Sequence, residues 1–206
     1  MTMKLLHLDS SVLGPYSVSR DLSASIVKTL SEKTAGLDVT YRDLAANPLP
    51  HLSGLTLAAA MGNYDASNDE ATKADLALGG EVLEQFLTSD VVVIGVGFYN
   101  FGIPSQLKAW IDRISVAGKT FKYGATGPEG LCGGKRVIVA ISRGGIYSQG
   151  PAAPLEHAET YLKGVFTFLG ITDLEFVVAE GVNMGEEAKA AAVKGAKDSI
   201  ATLKAA

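Results

Sequence analysis

A chain of 206 residues, 47% hydrophobic and 19% charged, has the length and make-up of a single globular domain spanning residues 1–206. A formal charge of −4 without a basic stripe excludes a nucleic-acid binder of the usual kind, and no apolar run reaches the roughly 18 residues of a membrane span. The start Met1–Leu8 is too short an apolar stretch for a signal peptide, and the single Cys132 permits neither an intrachain disulfide nor a cysteine metal cluster, so a cytoplasmic, metal-independent protein is expected.

Leu5 to Leu8 reads as a short first strand, followed by the loop Asp9–Tyr16 and a helix from about Ser17 to Lys33. Val39 to Tyr41 gives a second strand that ends in Arg42-Asp43. Asn47-Pro48-Leu49-Pro50-His51 is a turn or extended stretch, since each proline biases its predecessor away from helix. The region after it has no clear pattern, with Asn63 to Asp69 as a polar gap, until a helix resumes from about Glu70 to Thr88. Val91 to Val96 is apolar throughout and predicts a strand buried on both faces. Pro104 opens a helix that runs to about Val116, because a missing N–H does no harm at a helix start. Thr120 to Leu131, with Gly124, Gly127, Pro128 and Gly130, is an irregular or hairpin excursion. Val137 to Ile141 is a fourth strand, Pro154 to Leu169 a helix, Leu174 to Ala179 a fifth strand and Gly185 to Leu203 a last helix. Such alternation predicts an α/β fold: a five-stranded parallel sheet between two helix layers.

In open sheets of this kind ligands bind beyond the carboxyl ends of the strands, near the point where strand order reverses. Three loops there carry unusual chemistry. After strand one, Ser10, Ser11, Tyr16, Ser17 and Ser19 gather hydroxyls where a helix begins, which suits a phosphate; equally, Ser17 can serve only as a helix cap. The loop lacks GxGxxG, and Gly133-Gly134-Lys135 precedes a strand and is no P-loop, so a monophosphate fits better than a dinucleotide. After strand three, Phe98, Tyr99, Asn100 and Phe101 offer an aromatic wall and an amide for a planar heteroaromatic ring, although core packing accounts for some of these rings. After strand four, Ser142-Arg143-Gly144-Gly145 lets backbone N–H groups approach a ligand edge, or is simply a flexible turn. Ser142 lacks a GxSxG elbow, His7 reads as a strand histidine, His51 and His157 as surface groups, and Cys132 as incidental. Lys189, Lys194 and Lys197 mark the solvated face of the last helix.

Taken together, these loops closely resemble those of the FMN-dependent NADH-azoreductase family, related to the quinone reductases. The matching pieces are Asp9-Ser10-Ser11, Tyr16-Ser17-Val18-Ser19, Arg42–Pro48, Tyr99-Asn100-Phe101, Pro104–Lys108, Thr120–Tyr123, Gly127–Leu131, Ser142–Gly145 and Phe168–Asp173, in order along almost the whole chain. The resemblance implies a flavodoxin-like fold, one FMN per subunit, and a homodimer with each flavin near the subunit interface. It also implies ping-pong transfer of two electrons from NADH or NADPH to quinones and azo compounds. It puts Ser11, Ser17, Val18 and Ser19 on the FMN phosphate, Phe98, Tyr99, Asn100 and Phe101 along the isoalloxazine, and Ser142, Arg143, Gly144 and Gly145 on its other edge. Asn100 and Gly144/Gly145 are then expected to tune the flavin, Tyr123 to approach the acceptor side, and residues 55–69 to shape the acceptor pocket. Phe98 departs from relatives that carry Met or Pro there. The alternative is a flavodoxin proper, an electron carrier binding FMN for a protein partner, against which the mild charge and the 120–131 excursion both argue. A third reading is a nucleotide-binding regulator without flavin.

Overall fold

The computed structural model describes residues 2–206. Five parallel strands form the main sheet: β1 (Lys4–Asp9), β2 (Asp38–Asp43), β3 (Val91–Gly97), β6 (Arg136–Arg143) and β7 (Asp173–Glu180). Their spatial order is β2-β1-β3-β6-β7, or 2-1-3-4-5 when the sheet strands alone are counted. Order therefore reverses between β1, which leads outward to β2, and β3, which leads inward to β6.

The period-2 alternation of side chains in a strand explains how one sheet serves two cores. Leu6 and Leu8 of β1 join Val92, Ile94 and Val96 of β3 in a cluster with Phe86, Leu107, Trp110, Leu162 and Phe166. That cluster lies under α3 (Glu70–Thr88), α4 (Ser105–Ile114) and α5 (Ala158–Phe168). Leu5 of β1 and Val91 and Val93 of β3 point the other way, onto Leu22, Ile26 and Leu30 of α1 (Val18–Lys33) and Ile200 of α6 (Glu186–Ala201). Every residue of β3 is buried, as its apolar run requires of a central strand.

Several expected boundaries move for identifiable reasons. Gly54–Ala60 forms a short helix, α2, in the stretch without a clear pattern, capped by the Ser53 hydroxyl on the N–H of Thr56. Pro104 is the cap before α4 rather than its first turn, and that helix stops at Ile114, not Val116, where the Thr120 hydroxyl takes over the Ile114 carbonyl. α5 begins at Ala158, four residues after Pro154. Residues 153–155 make a separate 3-10 turn, and the Glu156 carboxylate caps the N–H groups of Glu159 and Thr160.

The excursion is a two-stranded antiparallel hairpin, β4 (Phe121–Gly124) with β5 (Gly127–Gly130), outside the main sheet. It packs against the α5–β7 connection so closely that a Cβ on Gly130 would lie 2.1 Å from the Gly170 nitrogen. α4 and α5 both run from the carboxyl ends of the strands to the opposite end, so the hairpin lies at the amino ends of the strands.

Candidate active site

The parallel register sets Asp9 beside Gly95 and Gly97 beside Ser142, so the loops after β1, β3 and β6 emerge together at one edge. In the first loop Ser10 is tied to the sheet: its N–H and its hydroxyl both donate to the Gly95 carbonyl, at 3.1 and 2.7 Å. Ser11 faces the third loop, its hydroxyl 2.8 Å from that of Tyr99. Ser17 caps α1 by accepting from the Arg20 N–H (3.4 Å) and lies 3.0 Å from the Ser19 hydroxyl. Each of these hydroxyls still has hydrogen-bonding capacity, and the first turn of α1 leaves N–H groups without intrahelical partners. Ser11, Ser17, Val18 and Ser19 thus form a neutral donor cradle at a positive helix end, whereas Tyr16, 87% exposed, stands away from it.

After β3 the chain makes a tight two-residue turn. Tyr99 and Gly102 exchange both backbone hydrogen bonds, at 3.1 and 3.0 Å, with Asn100 and Phe101 between them at φ of +48° and +70°. Two successive left-handed residues that are not glycine cost roughly 1–2 kcal/mol each. Among the described residues, no protein acceptor takes the N–H of Asn100 or Phe101. The strained turn is held in place by Phe98 N–H on the Ser142 carbonyl and by His157 N–H on the Phe101 carbonyl. Its geometry presents two free backbone donors and the 43% exposed Phe101 ring beside the serine cradle. Tyr99, by contrast, folds its ring back over Gly97, where a Cβ would come within 2.8 Å of it. Its backbone lines the edge, while its ring spans the first and third loops.

After β6 the Arg143 side chain is 2% exposed and lies among three carboxylates, Glu159 at 2.8 Å, Glu156 at 3.2 Å and Glu180 at 3.5 Å. Arg143 is therefore a buried brace, its guanidinium 5.8 Å above the Phe98 ring, and not an exposed anion ligand. Glu180 accepts from the N–H groups of Tyr147 and Ser148, at 3.0 and 3.1 Å, and from the Ser148 hydroxyl. Burial pushes the Glu180 carboxyl up, but these hydrogen bonds and Arg143 outweigh it and hold the group below its usual range. The loop so fixed lays Tyr147 against Phe98, with ring centroids 4.7 Å apart, and near Phe101, at 6.3 Å. The carbonyls of Gly144 and Gly145 accept from Asn183 and Gly181, and a Cβ on Gly144 would strike the Asn183 side chain at 2.7 Å.

The structure thus brings together Ser11, Ser17, Val18, Ser19, Phe98, Tyr99, Asn100, Phe101 and Ser142 to Gly145 at one edge. It does not bring Tyr123 to them: that residue is 76% exposed on β4, at the other end of the sheet. Tyr147, Glu180 and Arg20 belong to the site without having been singled out. Tyr147 lies in the same loop two residues beyond Ser142–Gly145, whereas Glu180 and Arg20 act through contacts 32 to 37 and 9 to 23 residues away, respectively, which no local pattern displays. His7 is a strand histidine in a polar cluster, 3.0 Å from the Ser23 hydroxyl, which donates to Asp9. Burial lowers its pKa more than Asp9 raises it. His51 and His157 are exposed, and Cys132 is buried, which pushes its thiol pKa up. Among the described residues no group of His, Cys, Asp or Glu is arranged to hold a metal ion, and no helix is long and apolar enough to cross a membrane.

Chemically, this edge offers hydroxyl and helix N–H donors for a small anion, a cluster of three aromatic rings, and outward backbone N–H groups. Residues 3–203 match the family model described as the flavodoxin-like fold. The chain is 60% identical, over 99% of its length and all of the relative's, to an FMN-dependent NADH:quinone oxidoreductase of Methylorubrum extorquens. Among solved structures it is similar to an azoreductase from Bacillus anthracis str. Sterne, with TM-score 0.84 and 33% identity over 98% of this chain and 100% of the other. It is also similar to an FMN-dependent NADH-azoreductase of Bacillus anthracis str. Ames Ancestor in complex with FMN, with TM-score 0.83 and 28% identity over 96% and 97%.

Proposed function

We infer the function from the premise that this chain belongs to the flavodoxin-like fold family, among relatives named FMN-dependent NADH:quinone oxidoreductases. It is an FMN-dependent oxidoreductase that carries two electrons from NADH to quinones, with azo compounds as further acceptors. The observation that carries the reading is the strained Asn100-Phe101 turn, whose free N–H groups stand beside both the serine cradle and the aromatic rings. A phosphate monoester joined to a flat heteroaromatic ring fits that donor set, one FMN per subunit.

Ser11, Ser17, Val18 and Ser19 bind the phosphate through hydroxyls and helix N–H groups. Phe98, Asn100, Phe101 and the backbone of Tyr99 line one edge of the ring system, and Gly144 and Gly145, braced by Arg143, line the other. When bound, FMN supplies reversible two-electron transfer, so that donor and acceptor use the same place in turn, the ping-pong order. The protein orients the reactants, excludes water and directs fixed backbone dipoles at the electron-rich edge. Asn100 is the residue best placed to tune that edge.

The protein works in the cytoplasm as a homodimer. Because Tyr123 rides on a hairpin at the far end of its own sheet, it reaches an acceptor only from a second copy of the chain. Steady-state oxidation of NADH with benzoquinone and with an azo dye tests the activity on FMN-loaded protein, beside sedimentation of the same sample. Turnover by a dimer is expected. Flavin uptake without turnover would replace the enzyme with an electron carrier, and a monomer would remove Tyr123 from the site.

A further inference from the structure

Arg20 lies in the first turn of α1, yet its side chain turns back across the helix start. Nε and Nη2 donate to the Ser11 carbonyl at 3.1 and 2.9 Å. Nη1 and Nη2 grip both oxygens of Asp43 at 2.6 and 2.8 Å, and Nη1 also reaches the Tyr41 hydroxyl at 3.3 Å. These contacts occupy all five guanidinium donors. Asp43 is itself fixed, because its Oδ1 accepts the N–H groups of Ala45 and Ala46. A planar fork anchored in this way is rigid where a lysine would be a flexible point charge.

Two consequences reach the cradle. The Ser11 carbonyl is held on the Arg20 side, so the N–H that follows it faces away, because the two ends of a trans peptide point in opposite directions. The Ser11 hydroxyl is free to meet Tyr99, which couples the first loop to the third. In addition, the carboxylates of Asp9, 4% exposed, and Asp43 lie close to the head of α1, where either would repel a dianion. Arg20, 3.9 Å from Asp9 and paired with Asp43, offsets both.

We propose that Arg20, anchored by Asp43, is a positioning residue that gives the site its preference for a phosphorylated flavin over the bare one. It acts through the Ser11 peptide and through the local charge rather than by touching the ring. This rests on the FMN reading above.

Apoproteins of the wild type, Arg20→Gln, Arg20→Lys and Asp43→Asn are titrated with FMN and with riboflavin, followed by quenching of flavin fluorescence. Arg20→Gln weakens FMN binding about tenfold to a hundredfold, the loss typical of a charge-assisted contact, and leaves riboflavin affinity as it was. Arg20→Lys keeps the charge without the fork and still shows a reduced FMN-to-riboflavin ratio. Asp43→Asn moves the ratio the same way by less. An unchanged ratio in Arg20→Gln, an equal loss of both flavins, or full recovery of the ratio by Arg20→Lys overturns the proposal while the FMN reading stands. Wild-type protein that binds neither flavin overturns both.

Discussion

Two glycines each leave too little room for a Cβ, and an alanine at each distinguishes a rigid contact from a yielding one. A Cβ on Gly130 would lie 2.1 Å from the Gly170 nitrogen, 2.2 Å from the Leu169 carbonyl carbon and 2.5 Å from the Gly170 Cα, all backbone. Nothing there can rotate away, so Gly130→Ala must lift the hairpin off the α5–β7 connection. Overpacking of this kind costs about 1–3 kcal/mol, and loss of the nearby Cys132 N–H to Leu169 carbonyl bond (2.9 Å) adds about 1 kcal/mol. At roughly 2–4 °C per kcal/mol for a chain of this size, Tm falls by about 5–15 °C. A Cβ on Gly97 would meet Tyr99 at 2.8 Å, but the atoms it strikes are at the far end of a half-buried ring. That ring swings out, gives up its bond to Ser11, and Gly97→Ala costs only about 1 kcal/mol. Thermal unfolding of the two apoproteins, with Tyr99→Ala as the background for a double-mutant cycle on Gly97, reads both numbers. Equal Tm losses for the two variants, or a Gly97→Ala cost that persists without the Tyr99 ring, would refute the reasoning.

Other outcomes follow from the charges and caps. The Asp43 carboxyl is lowered from its ordinary value to about 2, with the Arg20 hydrogen bond as the chief cause. Its stabilisation, about 1–2 kcal/mol after allowance for solvent at the pair, is full above the unfolded value near 3.8 and is lost as pH falls through about 2. Urea unfolding between those limits shows this slope in the wild type and not in Asp43→Asn. Ser17→Ala removes the α1 cap at about 1 kcal/mol and weakens FMN binding as well; unaltered FMN affinity would limit Ser17 to capping. Arg143→Met leaves Glu156, Glu159 and Glu180 facing one another and destabilises by about 3–5 kcal/mol in urea melts; an unchanged midpoint would show that Arg143 does not brace them. Tyr123→Ala lowers quinone turnover while FMN stays bound, and equal turnover would remove this side chain from the acceptor path.

Local chemistry made the fold readable. The apolar run Val91–Val96 can be stable only as a central buried strand, and the serines before α1 mark a helix start whatever else they do. Every sheet strand is legible in the sequence, β3 from its first residue, Val91, and the remaining ends one to two residues short, because ladder hydrogen bonds extend beyond the apolar residues that reveal a strand. α2 escaped notice because seven residues carry too little periodicity, and its cap depends on a Ser53–Thr56 contact that extends to Asp75. The site divided in the same way. Residues adjacent in sequence, such as Tyr99-Asn100-Phe101, announced themselves, although nothing in their letters showed two successive left-handed backbones. Arg20, Glu180 and the inward turn of Arg143 depend on partners from separate strands and helices, so only the assembled sheet reveals them. Tyr123 shows the converse: its motif is legible, but its distance from the carboxyl ends of the strands follows from the directions of α4 and α5.

The central claim is that this strand edge holds FMN and passes electrons through it from NADH to a quinone. Stopped-flow mixing of the FMN-loaded protein with NADH, followed by a second mix with benzoquinone, tests it most directly. The flavin absorbance should bleach with NADH alone and return fully with the quinone, each step fast enough to account for turnover. A flavin that binds but is not bleached by NADH, or that bleaches and does not recover with the quinone, would contradict the account.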